Sequence, residues 1–349
     1  MNDLERRLLN DFQRDFPLSP RPFAELAQQL GTVEAVVIRL LRRQQDQGVV
    51  SRVGPVFRPH TLGASTLAAM TVPEDRIAEV ANQVNAYPEV NHNYEREHRL
   101  NLWFVLTAST HQALGAILAA IQDRTGLAVW SFPMRSHYRI DLGFRLSPAP
   151  PAGSQKASVR HRVSSAAALR PPRRQAASAR ERWEGLNRLL IAAIQQGLPL
   201  VPRPYAAAGG RTGLTEGEVI DGIARLLSAQ VIRRFGVVVR HHELGYRANA
   251  MVVWDVADDR VDRLGSSLAR CDFVTLCYCR ARALPVWPYN LYCMIHGRER
   301  ATVLDQVQAL RQYCQVQEVP YAVLFSRRRF KQRGALYVPS QSEGRSAAA

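Results

Sequence analysis

Hydrophobic residues in the first 50 positions of the chain recur at helical spacing and form three separate stripes. The stripes span residues 4–12, 23–30 and 33–41, and glycines follow the second and the third, as is typical where helices end. The next segment, residues 49–57, is rich in valine and predicts an extended strand. Two short helices, a glycine turn, a third helix and a strand together predict a winged helix-turn-helix.

The hydrophobic pattern changes after Gly63, where strand-like runs alternate with helical ones. Strands are predicted at 66–72, 90–95, 100–108 and 128–132, with helices at 74–86 and 110–125 between them. The order strand, helix, strand, strand, helix, strand is that of the ferredoxin-like βαββαβ unit. The region after the first helix-turn-helix therefore predicts a second domain.

The same pattern occurs twice along the chain. Residues 16–23 match residues 198–205, and residues 52–58 match residues 234–240, both at an offset of 182 positions and the second pair with an arginine at each end. Strands of the second copy are predicted at 248–256, 274–279, 291–296 and 318–324. A period this long excludes a solenoid and indicates a duplicated, fused subunit that forms a pseudo-dimer within one chain.

The predicted fold is therefore α+β, a tandem duplication of a winged helix-turn-helix and a ferredoxin-like βαββαβ domain. The helix-turn-helix units are placed at 1–58 and 182–240, the ferredoxin-like units at 59–145 and 241–334, a linker at 146–181 and a flexible tail at 335–349.

The basic charge of the chain is unevenly distributed. The net charge is +16 over 349 residues, yet residues 1–145 hold 16 arginines against 15 acidic residues. Residues 146–180 hold seven basic residues and no acidic one, within a Pro-, Ala- and Ser-rich stretch that predicts the linker. Five further basic residues fall within 327–333. Such clusters are usually solvated, but they can also attract nucleic acid or an anionic ligand.

Composition also restricts the class of protein. Apolar residues make up 46% and charged residues 22% of the chain, which excludes general disorder. The longest apolar runs are interrupted, so no membrane helix is expected, and no secretory signal follows Met1. The five cysteines all lie at or beyond Cys271, which excludes a disulfide framework. A cytoplasmic location is predicted.

The third helix of each helix-turn-helix lacks the residues that read DNA bases. Its leading positions in the first copy, 32–36, contain no Arg, Asn or Gln, and in the second copy Glu216, Glu218 and Asp221 would repel phosphate. Three arginines of the first copy could contact phosphate or form a solvated face, namely Arg39, Arg42 and Arg43. DNA is therefore not an expected partner.

Polar and ionisable residues concentrate on the second strand of each ferredoxin-like unit. In the first copy, alternation places His92, Tyr94, Arg96 and His98 on one face, which predicts a polar pocket or, alternatively, an open solvent face. In the second copy, the loop 284–290 carries several aromatic rings that could cover a large flat ligand or form a hydrophobic plug.

Three cysteines of the second copy are an alternative site. Cys277 and Cys279 share one strand face, and Cys293 follows on the next strand, but no CxxC pair accompanies them. Buried cysteine is a common small core residue, so no metal site is predicted.

A winged helix-turn-helix followed by βαββαβ resembles the Lrp/AsnC family of transcriptional regulators. The His-Asn-Tyr-x-Arg-x-His run at 92–98, the Asn-Leu-Trp-Phe run at 101–104 and the Leu-Pro-x-Trp-Pro-Tyr-Asn run at 284–290 carry a closer resemblance to the siroheme decarboxylases. In that family the Lrp-like fold serves catalysis, removing CO2 from two acetate side chains of siroheme to give didecarboxysiroheme. A fused two-copy chain is similar to the version that serves haem d1 biosynthesis.

The resemblance implies a carboxy-lyase with siroheme as substrate and no cofactor beyond that iron-containing substrate. His92 and His98 would donate protons or ligate the haem iron, supported by Tyr94 and Arg96. It also implies assembly into a homo-oligomer through the βαββαβ domains, and separate homologous decarboxylase subunits as partners. Residues implied to bind substrate are Arg135, His137, Asn101, Trp103, Tyr278, Arg280, Trp287, Tyr289, Asn290, Arg327 and Arg329.

Two other functions remain open from the sequence. A regulator that senses haem or a small molecule would bind a specific DNA fragment in a salt-sensitive way. A tetrapyrrole carrier would bind siroheme and release it unchanged.

Overall fold

The computed structural model describes residues 2–58, 61–140, 185–240 and 248–338 of the chain. The predicted linker at 146–181 lies outside these ranges, as do the last eleven positions of the predicted tail. Within the described ranges the chain contains no helix long and apolar enough to cross a membrane.

Both helix-turn-helix units form as the hydrophobic stripes predict. The PxP motif repeated in the two copies places a proline, Pro22 or Pro204, at the first position of the second helix, where its fixed φ suits the helix and no N–H is needed. The apolar faces of the two units merge into one core that joins helices of both copies. The elements are α1 (Asp3–Asp11), α2 (Pro22–Leu30), α3 (Glu34–Asp46) and β1 (Val50–Phe57), then α6 (185–194), α7 (Pro204–Gly210), α8 (Glu216–Ser228) and β6 (Ile232–Val239).

The two wings pair with each other instead of standing free. β1 and β6 form an antiparallel two-stranded sheet in which Gly54 lies opposite Gly236. A Cβ on Gly54 would come within 2.9 Å of Gly197 Cα, and one on Gly236 within 2.4 Å of Phe12 O. Each wing therefore requires glycine because the end of the other copy's first helix packs directly on it.

Each ferredoxin-like unit follows the predicted βαββαβ order. Helices cover one face of each four-stranded unit, and a separate aromatic and aliphatic cluster fills the space between the two units. The first unit contains β2 (Ala64–Met70), α4 (Ile77–Asn85), β3 (Val90–Arg96), β4 (Leu102–Ala108), α5 (His111–Thr125) and β5 (Val129–Ile140). The second contains β7 (Ala248–Trp254), α9 (Val261–Leu268), β8 (Val274–Arg280), β9 (Leu291–Gly297), α10 (Arg300–Tyr313) and β10 (Tyr321–Gln332).

The last strand of each unit is much longer than its predicted range. β5 pairs with β2 as far as Pro133 and then, from Met134 onward, with β8 of the other copy. β10 does the same, changing from β7 to β3 between Phe325 and Ser326. The two units thereby close into one eight-stranded barrel in the order β10-β3-β4-β2-β5-β8-β9-β7. This closure is the pseudo-dimer predicted from the repeat; assembly of whole chains into a homo-oligomer stays a prediction.

The flexible tail predicted from residue 335 is wrong for residues 335–338. The side chain of Gln195 accepts hydrogen bonds from the backbone N–H groups of Tyr337 and Val338, at 2.8 and 3.2 Å, and donates one to Val338 O at 2.7 Å. The ring of Tyr337 packs edge-on against Phe57, with ring centroids 5.2 Å apart. These contacts fasten the end of the barrel domain to the helix-turn-helix domain.

Candidate active site

A cavity of about 410 Å³ lies between the barrel and the paired wings. This volume falls within the range of small-molecule binding sites. Its wall combines strands of both ferredoxin-like units with both wings and the segment after β10. The lining includes Arg52, Ser65, Thr66, Leu67, Asn91, His92, Tyr94, Arg96, Trp103, Thr107, Met134, Arg234, Arg240, Asn249, Met251, Tyr278, Arg280, Met294, His296, Ser326, Arg333, Gly334 and Tyr337.

The charge of this wall has one sign. Six arginines and two histidines line the cavity, and none of its lining residues in the described ranges is Asp or Glu. Five of the arginines have a buried Nε without a hydrogen-bond partner among the described residues, namely Arg52, Arg96, Arg240, Arg280 and Arg333. A buried donor without a partner costs free energy, so an anion in the cavity would stabilise this wall.

The predicted face of β3 is largely correct. His92, Tyr94 and Arg96 all line the cavity, and the rings of His92 and Tyr94 stack with centroids 6.3 Å apart. The intervening Asn93 points to the opposite side, where it donates to Ala81 O of α4 at 3.2 Å. The open solvent face is therefore the wrong alternative for these three residues.

The prediction that His98 shares this face is wrong. β3 ends at Arg96, and the chain turns so that the N–H of His98 donates to Arg96 O, which ends the alternation of side chains. His98 Nδ1 accepts from the backbone N–H of Leu100 at 3.0 Å, and its exposed ring lies edge-on to Trp287. His98 is a turn residue outside the cavity lining.

Arg96 and Arg280 occupy equivalent positions in the two copies and bind across the copy boundary. Arg96 Nη1 donates to Leu324 O on β10 at 3.1 Å, and Arg280 Nη1 donates to Phe132 O on β5 at 2.7 Å. The guanidinium of Arg280 lies 4.5 Å from the ring centroid of Tyr278, a cation–π contact. These bonds hold both guanidinium groups in the cavity wall, and the Arg96 guanidinium lies 5.7 Å from the ring centroid of Tyr94.

His92 lies in a setting that disfavours its protonated form. Burial, with a smaller contribution from the positive charge of Arg52, lowers the pKa of His92 to about 4. Burial also raises the pKa of Tyr94, despite the nearby arginines. In the unliganded protein at neutral pH, His92 is therefore a neutral imidazole.

This pKa has a consequence for stability. Because unfolded His92 takes up a proton near pH 6.5 and folded His92 only near pH 4, acidification through that window favours unfolding. We expect the urea midpoint of His92→Gln to fall less than that of the wild type between about pH 7 and about pH 5. An equal fall of the urea midpoint in the wild type and in His92→Gln would contradict the pKa assigned to His92. A histidine NMR titration provides a direct check. One imidazole resonance, which is missing from the variant, should keep the chemical shift of a neutral ring through this window.

Asn101 and Asn290, both predicted to bind substrate, are structural residues outside the cavity. The side chain of Asn101 accepts from the N–H of Val72 at 2.9 Å and donates to its carbonyl at 2.7 Å. Asn290 makes the same pair of bonds to Val256, at 3.0 and 2.9 Å. Each asparagine fastens the start of one central strand to the end of its neighbour.

The aromatic loop of the second copy is a plug beneath the cavity and not its cover. Trp287 is fully buried, donates from Nε1 to Tyr292 Oη at 2.7 Å and packs on Trp103, with centroids 4.9 Å apart. Tyr289 lies edge-on to Trp287 at 4.9 Å. Trp287 and Tyr289 therefore lie outside the cavity lining, whereas Trp103 belongs to it, and the substrate-binding roles of all three stay predictions.

Four predicted binding residues lie at exposed positions of the long strands. Arg135 and His137 on β5 and Arg327 and Arg329 on β10 are exposed and absent from the cavity lining. Arg327 is within 4 Å of Glu74 and Glu95, and Arg329 donates to Gln332. Alternation does not explain their exposure, since Arg329 lies opposite Tyr94 and His137 lies opposite Tyr278 in strand pairs that contain register shifts.

Several residues of the cavity lining were not predicted from the sequence. Arg52 and Arg240 lie on the wings, where the repeat at offset 182 marked arginines without indicating a role. His296 lies on β9, where the first copy has Thr107, and its Nδ1 is 2.8 Å from Thr275 Oγ1. Only the closure of the barrel against the wings brings these residues to one cavity.

The cysteines belong to the core of the second copy. Cys277 and Cys293 lie opposite each other on β8 and β9, and both are fully buried. Burial raises the pKa of Cys293 to about 12 and the pKa of Cys277 well above its usual value, so both are protonated thiols. A thiol of this kind is a poor metal ligand, which supports the core role.

Comparison with known proteins agrees with this architecture. A family model for an AsnC-like ligand binding domain matches residues 61–138 and 243–331, and a model for a siroheme decarboxylase NirDL-like HTH domain matches residues 5–50 and 187–233. The siroheme decarboxylase NirDL subunit of Paracoccus denitrificans is 45% identical over 335 residues, covering 96% of this chain and 97% of the relative. The chain belongs to the siroheme decarboxylase family.

Two further relatives bear on the fused copies and on the cavity. A siroheme decarboxylase NirD subunit of Pseudomonas aeruginosa is 51% identical over 146 residues, covering 42% of this chain and 97% of that protein. A crystal structure of the siroheme decarboxylase NirDL in co-complex with an iron-uroporphyrin III analogue matches with a TM-score of 0.64 and 26% identity, covering 96% of this chain and 94% of that one. A separate subunit of this family therefore corresponds to less than half of this chain, in agreement with the duplication seen in the fold.

Several charged side chains of α3 and α8 have partners within the protein. Arg42 donates to Leu200 O of the other copy at 2.7 Å, and Arg43 forms an ion pair with Glu5. In the second copy, Glu218 forms a capping box with Thr215, the N-cap of α8. Two of the three arginines considered for phosphate contacts are thus engaged within the protein.

Proposed function

We propose that this protein is a carboxy-lyase that removes CO2 from two acetate side chains of siroheme to give didecarboxysiroheme in haem d1 biosynthesis. The observation that carries the proposal is the acid-free cavity wall, in which arginines and histidines from both copies converge. Such a wall suits a polycarboxylate ligand better than any neutral or cationic one.

The substrate's charge accounts for the number of arginines. Siroheme carries eight carboxylates around a flat macrocycle, and arginine binds a carboxylate through two parallel hydrogen bonds. Arg96 and Arg280 are held by carbonyl groups of the opposite copy, so their remaining donors are fixed before substrate arrives. Trp103, Tyr94 and Tyr278 supply ring surface for the macrocycle.

The reaction itself requires little besides positioning and a proton. The bond between the acetate methylene and its carboxylate breaks, CO2 leaves, and the electron pair passes into the conjugated ring. A proton then adds to the methylene carbon and converts it into a methyl group. Since each step consumes one proton and no electrons, we propose no cofactor beyond the iron-containing substrate.

His92 is the residue we assign to proton delivery. It is neutral in the free protein, and carboxylates bound beside Arg52 would offset the positive field that helps to lower its pKa. Substrate binding would therefore raise the pKa of His92 and load it with a proton. Two decarboxylations need two protons, and His296 from the second copy is the other imidazole in the lining among the described residues. Ligation of the haem iron is the alternative role of these rings.

Assembly and location are further parts of this proposal. We propose homo-oligomers formed through the βαββαβ domains, cooperation with separate homologous decarboxylase subunits, and a cytoplasmic location. The five cysteines, all described and all free, support a reducing compartment.

Anaerobic incubation of the purified protein with siroheme, followed by mass spectrometry of the extracted tetrapyrrole, tests the function. Two successive losses of CO2 are expected. Siroheme that binds and returns unchanged would contradict catalysis by this chain alone and favour a carrier. Salt-sensitive binding to a specific DNA fragment, with no change in siroheme, would favour a regulator.

A further inference from the structure

The side of the cavity that faces the helix-turn-helix units is built from three segments that are distant in sequence. We call these residues the roof of the cavity; they comprise Ser51, Arg52, Val56 and Phe57 of β1, Val238, Val239 and Arg240 at the end of β6, and Arg333, Gly334, Ala335 and Tyr337 after β10. The roof is therefore the contact between the domain that would read DNA in a regulator and the domain that holds the barrel.

The segment after β10 is held in place on both sides of Gly334. The N–H of Arg333 donates to Asn91 O at 2.8 Å, beside His92 on β3. Beyond Gly334, Tyr337 and Val338 are bound by the side chain of Gln195, which is itself buried. Hydrogen bonds on both sides of Gly334 thus hold it against the wing.

Arg52 contributes the most unusual charge in the roof. Its Nη2 donates to Pro55 O at 2.8 Å, but its buried Nε has no partner among the described residues. Burial lowers the pKa of Arg52 to about 10, and the positive charge of Arg240 also lowers it. The group stays charged at neutral pH, with no carboxylate in the described cavity lining to balance it.

Gly334 lies directly on the guanidinium of Arg52. A Cβ at Gly334 would come within 2.7 Å of Arg52 Nη1, 3.0 Å of Cζ and 3.3 Å of Nη2. All three atoms belong to the end of one flexible side chain, so a methyl group there would displace the guanidinium and leave the backbone in place. The backbone of Gly334 is also not in the left-handed region, so alanine is conformationally allowed.

We propose that Arg52 binds a carboxylate side chain of the tetrapyrrole from the roof of the cavity, and that Gly334 is a positioning residue that holds the Arg52 guanidinium for this contact. The wings of the helix-turn-helix thereby serve as part of a substrate site. The identity of the ligand rests on the proposed function; the geometry of the pair does not.

A double-mutant cycle on siroheme affinity tests the pair. The variants are Arg52→Gln, Gly334→Ala and the double variant, with binding followed anaerobically by quenching of tryptophan fluorescence. Arg52→Gln should weaken binding about 10- to 100-fold, the value of one lost charge-assisted contact. Gly334→Ala should weaken it by about 3- to 10-fold in the wild-type background and by less than about twofold in the Arg52→Gln background.

The matched control is Gly210→Ala, since a Cβ at that exposed glycine meets no atom within 4 Å. Its affinity should equal that of the wild type, and the melting temperature of Gly334→Ala should not fall below that of the wild type. A merely structural role for the pair predicts the reverse, a lower melting temperature with unchanged affinity.

Two results would overturn the proposal even if the wild type releases CO2 normally. One is that the two substitutions change siroheme affinity independently, and the other is that Arg52→Gln leaves the affinity unchanged. A wild type that binds siroheme without releasing CO2 would contradict the proposed function, and the cycle would still decide the roles of Arg52 and Gly334. A wild type that binds no siroheme would contradict both.

Discussion

His92→Gln is expected to lower kcat for CO2 release from siroheme by about 10²- to 10⁴-fold, the usual contribution of a positioned acid. The glutamine side chain fills a similar volume beside Tyr94 but cannot deliver a proton. Siroheme affinity should change by less than about threefold, because the arginines that bind the carboxylates are untouched. Single-turnover mass spectrometry gives the rate, and fluorescence quenching gives the affinity.

His98→Gln is the matched control, since both histidines belong to one sequence motif but only His92 lines the cavity. Its kcat should stay close to that of the wild type. Loss of activity in His98→Gln with normal activity in His92→Gln would reverse the assignment. If the absorption bands of siroheme bound to His92→Gln differ from those of siroheme bound to the wild type, ligation of the iron by His92 would be favoured instead.

The second large expected effect is a loss of siroheme affinity when Arg96 or Arg280 of the cavity wall is replaced by a neutral residue. Arg96→Gln and Arg280→Gln should each weaken siroheme binding about 10- to 100-fold, because each removes a buried charge that faces the carboxylates. Arg96→Lys and Arg280→Lys, which keep the charge but lose the planar fork, should recover only part of this affinity. Titration of each folded variant with siroheme gives the measurement.

The controls for this series are Arg135→Gln on β5 and Arg327→Gln on β10, since both arginines are exposed and outside the cavity lining. Both should bind siroheme within about twofold of the wild type, because solvent screens exposed charges. Equal losses in the exposed and the buried series would mean that the ligand is attracted by overall charge and not by the cavity.

The fold of each copy could be predicted from the sequence because hydrophobic periodicity is a local property. The strands of both βαββαβ units and the helices of the first unit lie close to their predicted ranges, apart from the lengths of β5 and β10. The second halves of those strands carry exposed Arg and His and pair with the other copy. Pairing across a closed barrel depends on contacts distant in sequence, and periodicity within one segment does not report them.

The site was predictable only in part, for a related physical reason. His92, Tyr94 and Arg96 stand on one strand, so alternation alone placed them on one face. Asn101 and Asn290 were misassigned because a repeated polar residue can also serve a repeated structural bond. The roof arginines were missed since the sequence does not indicate which face of a wing meets the barrel.

A crystal structure of the protein with siroheme, obtained anaerobically, tests the central claim most directly. The macrocycle is expected in the cavity between the barrel and the roof, with its carboxylates bound by Arg52, Arg96 and Arg280 and an acetate next to His92. A macrocycle bound outside the cavity, beside the exposed Arg135 and Arg327, would contradict the assignment of the cavity as the substrate site.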